Sequence, residues 1–197
     1  GLTKVICTNL AIVTEEILEY CKEHKILIST SLDGPQYVHD KNRHKPHASS
    51  YELAVKGIEL SRKVLGHDQV SALMTTTKLS LDYPIEIVDE YFNLGFQGIF
   101  LRNISPYGFA LRTDKSKYET DKFLSFYKKA LDRILEYNFN GNYFTEDLAR
   151  IFLTKILTPF NVGFVDLQSP AGLINGVIVF NYDGAVYATD ESRMLAE

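Results

Sequence analysis

Apolar and polar positions along this chain follow two alternating periods. Short runs suited to buried strands occur at Lys4–Leu10, Ile26–Asp33, Gln69–Thr76 and Gly98–Ile104. Between them, apolar residues recur at the steps of a helix face. Ile17, Leu18 and Cys21 follow Thr14, and Ala54, Ile58, Ser61 and Leu65 follow Ser49. Val88, Tyr91 and Phe92 follow Pro84, while Phe123, Tyr127, Ala130, Ile134 and Leu135 follow Thr120. The helix starts carry their own chemistry. Thr14 can cap a helix whose first turn holds Glu15 and Glu16, Ser49 and Glu52 have capping-box spacing, and Gly66 and Gly95 suit helix ends. Gly34-Pro35 halts the second strand and opens a polar loop expected to reach about Ser50. A further helix is expected from Glu146 to Leu157, capped by Thr145.

Four strand-helix units in succession require parallel strands joined by right-handed crossovers. That leaves an open doubly wound sheet or a stretch of (β/α) barrel. Neither G-x-G-x-x-G nor G-x-x-x-x-G-K-[ST] occurs, so the expected class is α/β with a partial (β/α) barrel over residues 1–158. The texture changes after Thr158-Pro159: Gly163, Gly172, Gly176 and Gly184 punctuate short alternating runs, and Asn181-Tyr182-Asp183-Gly184 signals a hairpin. Residues 159–197 are therefore expected to form a small β-rich segment. Gly1-Leu2-Thr3 runs into the first strand without an initiating Met or leader, and the carboxyl end stops without a closing element, so a piece of a longer chain is expected.

Composition narrows the function classes. With 21 basic against 25 acidic residues the net charge is −4, which lacks the positive surplus that nucleic-acid binding draws on. Two cysteines, Cys7 and Cys21, cannot build a disulfide framework, and no apolar run approaches the roughly 20 residues of a membrane helix. The default is a cytoplasmic chain with no nucleic-acid or membrane partner.

In parallel α/β architectures ligands gather at the carboxyl ends of strands, which singles out Asn9, Ser31, Asp33, Thr76 and Arg102. The loop from Asp33 to Arg43 is richer in functional side chains than a connector requires. His39, His44 and His47 lack the cysteine or carboxylate support of a metal site, so they read as solvated loop histidines and no metal is assigned. No G-x-S-x-G elbow is present. A carboxylate pair of Asp33 and Asp82 is the minor hydrolase or lyase alternative. Asn103-Ile104-Ser105 fits a glycosylation sequon but falls in an expected buried strand, and reads as chance.

The string Ile28-Ser29-Thr30-Ser31-Leu32-Asp33-Gly34-Pro35, followed by His39-Asp40 and Arg43, resembles the middle of radical SAM peptide maturases, the group containing anaerobic sulfatase-maturating enzymes. Thr8-Asn9-Leu10 resembles their T-N-G strand end, with Leu10 in place of the glycine. Phe100-Leu101-Arg102, Ser105–Ala110, Ser169-Pro170-Ala171-Gly172 and Asn181–Tyr187 are similar to the maturases of His-Xaa-Ser peptide systems.

The resemblance implies a partial radical SAM barrel followed by a SPASM-like tail. It also implies S-adenosylmethionine bound to a [4Fe-4S] cluster, and a 5′-deoxyadenosyl radical that removes a hydrogen atom from a precursor peptide, with a His-Xaa-Ser repeat peptide as the candidate. Carried over residue by residue, it makes Ser31, Arg43, Asn9 and Leu101 candidate cofactor contacts, with Arg43 suited to a carboxylate. Asp33 and Arg102 become candidate substrate contacts, Asp33 alternatively capping its own loop. No catalytic residue is named. The departures are equally specific: the C-x-x-x-C-x-x-C loop and the G-G-E-P-like strand are missing, and Ser169 and Thr189 stand where tail cysteines are often found. This segment alone is expected to bind neither cofactor and to be inactive, and a non-catalytic peptide-binding module remains the alternative.

Overall fold

The computed structural model describes residues 3–104, 118–162, 178–181 and 183–196. Strands β1 (Lys4–Thr8), β2 (Ile26–Ser31) and β3 (Val70–Leu73) form a parallel sheet in that order, with Cys7, Ser29 and Ser71 in register. Helices α1 (Glu15–Glu23) and α3 (Ser50–Leu65) make the crossovers. Their starts follow from the caps: Thr14 Oγ1 accepts the Ile17 amide, and Ser49 Oγ accepts the Glu52 amide. Leu18 and Cys21 of α1 and Ile58 of α3 bury against Ile28, Val70 and Ala72. Helix α4 (Pro84–Asn93) leads to β4 (Gly98–Ile99), which pairs in parallel with β5 (Thr145–Glu146) after the long α5 (Thr120–Phe139). A cleft of about 490 Å³, lined by Val70, Ser71 and Ala72 on one side and Gln97, Gly98 and Thr145 on the other, separates the two sheets. Helix α6 (Asp147–Leu157) follows β5.

The α/β alternation is as expected; several details differ. The polar loop after Gly34-Pro35 contains a two-turn helix, α2 (Gln36–Asn42), which buries Val38 and His39. Its seven residues are too few to display a periodic apolar face. β3 stops at Leu73 instead of Thr76, because the Thr75 amide turns to the Asp33 carboxylate at 2.9 Å. β4 stops at Ile99 instead of Ile104, because the Leu101 amide turns to Glu146 Oε1 at 3.0 Å. Each strand end is thus taken up by a buried carboxylate from its neighbour. Asn103 consequently lies outside any strand and is exposed, the reverse of the buried setting expected for the sequon.

The cap of α6 is Glu146, whose carboxylate accepts the Leu148 and Ala149 amides, not Thr145. On α5, Phe126 joins Phe123, Ala130 and Ile134 in the core while Leu135 is 43% exposed. β1 is not a buried strand: Val5 and Ile6 are half-exposed and Cys7 is exposed, since β2 is its one neighbour among the described residues. Cys21 is core, as expected.

At the carboxyl end, β6 (Val179–Phe180) and β7 (Val186–Tyr187) form an antiparallel hairpin closed by the Gly184 amide on Asn181 O. Gly184 takes the φ of +85° that the Asp-Gly signal requires. A short helix, α7 (Asp190–Ala196), closes the chain where no closing element was expected. Gly163, Gly172, Gly176, Ser105–Ala110, Ser169-Pro170-Ala171 and Tyr182 lie outside the described residues. No helix among the described residues is long and apolar enough to cross a membrane.

Leu10, which stands where the resembling motif has glycine, adopts a glycine conformation. Its φ is +57° and its side chain is 3% exposed. Gly57 of α3 makes the room: a Cβ there would come within 2.5 Å of Leu10 Cβ and 2.9 Å of its carbonyl oxygen. Gly57→Ala gains helix propensity of roughly 1 kcal/mol but overpacks this contact by about 1–3 kcal/mol. The expected outcome is a net loss of stability, read as a lower urea midpoint at unchanged slope.

Candidate functional site

The carboxyl ends of β1, β2 and β3 form one edge, shaped by two local turns after β1 and by two contacts of α4 on the end of β2. Thr8 Oγ1 accepts the Leu10 amide and Asn9 Oδ1 accepts the Ala11 amide, which turns the chain tightly after β1. After β2, Gly34 takes φ +118°, and an added Cβ would lie 2.6 Å from Ile87 Cγ1, so glycine alone fits between the strand end and α4. Tyr91 of α4 donates its hydroxyl to Leu32 O at 2.6 Å and pins the same strand end.

Asp33 lies at the centre of this edge, 1% exposed. Arg43 donates to it from Nε at 2.8 Å and from Nη2 at 3.0 Å, and Nη2 also donates to Thr75 Oγ1 at 3.1 Å. With the Thr75 amide on Oδ1, both carboxylate oxygens are engaged. The Asp33 amide in turn donates to His39 Nδ1 at 3.1 Å. His39 is therefore not a solvated loop residue: it is 2% exposed. Burial lowers its pKa below the ordinary imidazole value; Asp33 and Asp40 oppose that, and Arg43 adds to it.

A cavity of about 320 Å³ opens beside this network, lined among others by Asn9, Ser31, His39, Arg43, His44 and Lys45. Three of the residues selected from the sequence, Asn9, Ser31 and Arg43, thus share one wall system although they come from three different segments. The others do not join them. Asp33 lies beneath the cavity as the anchor of Arg43, and the distant amide it caps is that of Thr75, not one that follows it. Leu101 is fully buried, and Arg102 is exposed with its guanidinium 5.7 Å from the Phe100 ring centre. The Arg102 carbonyl accepts Thr76 Oγ1 at 2.8 Å, which ties the end of β4 to the segment after β3.

Glu146 was not singled out from the sequence. It is 4% exposed, caps α6, accepts the Leu101 amide and takes the Tyr127 hydroxyl at 2.5 Å. Burial, with Glu146 alongside, pushes the Tyr127 phenol far above its usual range and keeps it a donor. Nothing local marks any of these: His39 sits on a helix too short to show a period, and Thr75 and Glu146 act on distant segments.

The minor Asp33–Asp82 alternative finds no support, because Asp33 is held by Arg43 and Thr75 and Asp82 is an exposed residue of a 3₁₀ turn. Among the described residues no three His, Cys, Asp or Glu side chains converge as a metal site. The two thiols do not fit a cluster that needs three: Cys7 is exposed on β1 and Cys21 is buried in α1.

No family model matches the chain. The uncharacterized protein sll1766 of Synechocystis is 32% identical over 82 residues, which are 41% of this chain and 20% of that protein. Native anSMEcpe with bound AdoMet superposes with a TM-score of 0.66 at 20% identity, over 79% of this chain and 42% of that one. Native anSMEcpe with bound AdoMet and Cp18Cys peptide gives 0.72 at 20% identity, over 95% and 51%. The complex with Kp18Cys peptide gives 0.69 at 19% identity over the same shares, 95% and 51%. The chain therefore has the fold of part of those structures and spans about half their length or less.

Two outcomes follow from the buried network. Arg43→Ala leaves the Asp33 carboxylate buried and unpaired and is expected to cost about 2–4 kcal/mol in urea unfolding, with Arg43→Lys intermediate because it keeps charge but loses the fork. The second concerns pH. The His39 pKa is lower folded than unfolded, so below about pH 6.5 the unfolded state binds more protons and stability falls; above it this contribution is fully present. The urea midpoint should drop between pH 7.5 and 5.5, and less steeply in His39→Asn.

Proposed function

We propose that this chain is the central and carboxyl-side part of a radical SAM enzyme acting on a ribosomally made peptide, with S-adenosylmethionine held in the cavity of Asn9, Ser31 and Arg43. The carrying observation is that these three residues, chosen from the sequence by their motif, line one cavity at the carboxyl edge of parallel strands. The shared fold with anSMEcpe, solved with AdoMet and with peptide, supports the reading. When bound, S-adenosylmethionine would supply a 5′-deoxyadenosyl radical for hydrogen abstraction from the peptide, given a reduced [4Fe-4S] cluster whose ligands come from outside this chain.

The residues present fit the cofactor's polar end. The Ser31 hydroxyl and Asn9 amide offer neutral hydrogen bonds, and Arg43 and Lys45 bring positive charge suited to a carboxylate. Arg43 directs Nε and Nη2 to Asp33 and Thr75, so a cofactor carboxylate would meet Nη1 and not the bidentate fork. Asp33, with both oxygens engaged, orients Arg43 rather than touching substrate. Leu101, fully buried and outside this cavity with its amide on Glu146, is not part of the proposed cofactor contact, and exposed Arg102 remains available to a peptide.

The division at residues 158 and 159 and the SPASM-like character of the tail belong to the same proposal. Two peptide classes are in view. The tail and Phe100–Arg102 motifs favour a His-Xaa-Ser repeat peptide, whereas the anSMEcpe likeness favours a sulfatase-maturase-like substrate.

The protein at its natural length, reconstituted anaerobically with iron, sulfide and reductant, is expected to convert S-adenosylmethionine to 5′-deoxyadenosine, faster with its peptide. Acceleration by a His-Xaa-Ser repeat peptide supports the first class, and acceleration by a cysteine peptide the second. No 5′-deoxyadenosine, with peptide binding that ignores S-adenosylmethionine, would overturn the reading in favour of a binding module. Ser31→Ala should weaken S-adenosylmethionine affinity roughly three- to tenfold by calorimetry.

A further inference from the structure

His39 is a buried polar side chain with one nitrogen accounted for and one not. Its Nδ1 accepts the Asp33 amide at 3.1 Å, so the neutral ring carries its proton on Nε2. The ring is 2% exposed and lines the cavity together with Asn9, Ser31 and Arg43. Among the described residues nothing hydrogen-bonds Nε2; the nearest aromatic neighbour, Tyr51, meets the ring edge-on at a centroid distance of 6.1 Å. Nε2 is not one of the buried side-chain atoms left without a partner, so this N–H reaches open space, and the space that the ring lines is this cavity.

The surroundings narrow what that is. Arg43 has closed its fork on Asp33, so the donors left to this wall include Arg43 Nη1, Lys45, the Asn9 amide, the Ser31 hydroxyl and His39 Nε2–H. The imidazole differs from the cations in being neutral. It can bind a ligand lone pair without adding positive charge beside Arg43 and Lys45 in a pocket that would also receive a sulfonium.

We infer that His39 is a binding residue of this site: its Nε2–H is a fixed, neutral donor to an oxygen or nitrogen lone pair of S-adenosylmethionine. This rests on the reading of the cavity proposed above. The structural bond through Nδ1 and the ligand bond through Nε2 are separate, and two substitutions divide them. His39→Asn places an amide oxygen near the former Nδ1 and keeps the Asp33 amide bonded, but removes the donor at Nε2. His39→Gln reaches the Nε2 position but loses the acceptor for Asp33.

The test uses the natural-length protein without reductant, so that binding is read without turnover. His39→Asn is expected to melt close to the parent and to raise the S-adenosylmethionine Kd roughly three- to tenfold. His39→Gln is expected to melt lower and to bind nearly as well at temperatures where it is folded. Parent-like affinity in His39→Asn, or losses in both variants that merely track lost stability, would overturn the inference. In the unmodified protein labelled with ¹⁵N-histidine, the Nε2 resonance of His39 should move on adding S-adenosylmethionine, and a resonance that stays put also overturns it. If the unmodified protein binds S-adenosylmethionine and Ser31→Ala weakens it while His39→Asn does not, the His39 inference alone falls. If the unmodified protein does not bind at all, the cavity reading falls with it.

Discussion

Removing the Asp33 carboxylate from water carries a desolvation cost that only a fully engaged partner set can offset, and the local structure is arranged around meeting it. The Arg43 fork, the Thr75 amide and, from the other side, the Asp33 amide on His39 converge on one residue. Those partners come from the end of α2, the segment after β3 and the interior of α2. Satisfying one charge therefore fixes where three segments meet, and the cavity of Asn9, Ser31 and Arg43 exists because they meet there.

Glu146 does for the second sheet what Asp33 does for the first. Each is a buried carboxylate at a strand end, and each accepts the backbone amide that would otherwise have extended the neighbouring strand. The ladder is cut short, and the freed chain turns outward. In both sheets this happens at the carboxyl edge, where the strand-helix architecture collects its ligands. Glu146 also caps α6 and accepts from Tyr127, so one side chain joins strand, helix and core.

Arg43 shows how such an arrangement divides labour. Its motif position suggested a carboxylate clamp, yet the clamp is closed on a residue ten positions earlier. What is left for the cavity is the remaining edge of the guanidinium, held by the pairing, on a wall that also carries Asn9 and Ser31. Leu10 tells a similar story in the backbone. A residue that prefers negative φ holds a glycine conformation because its buried side chain is worth more than the strain, and Gly57 supplies the space.

Period and capping were sufficient in the sequence for the parallel α/β alternation, the starts of α1 and α3, the buried face around Cys21 and Ile58, and the Asp-Gly hairpin, since each depends on residues within a few positions of one another. The motif spacing also picked out three residues, Asn9, Ser31 and Arg43, that line one cavity. Interactions between distant residues were not legible. That Asp33 would claim Arg43 and Thr75, that β4 would end at Ile99 because of a glutamate 47 residues on, and that His39 would be buried with one nitrogen committed and one free depend on segments 32 to 47 residues apart, or on a helix too short to announce itself. Local pattern chooses elements; only their packing chooses which polar groups lose water, and therefore which must find each other.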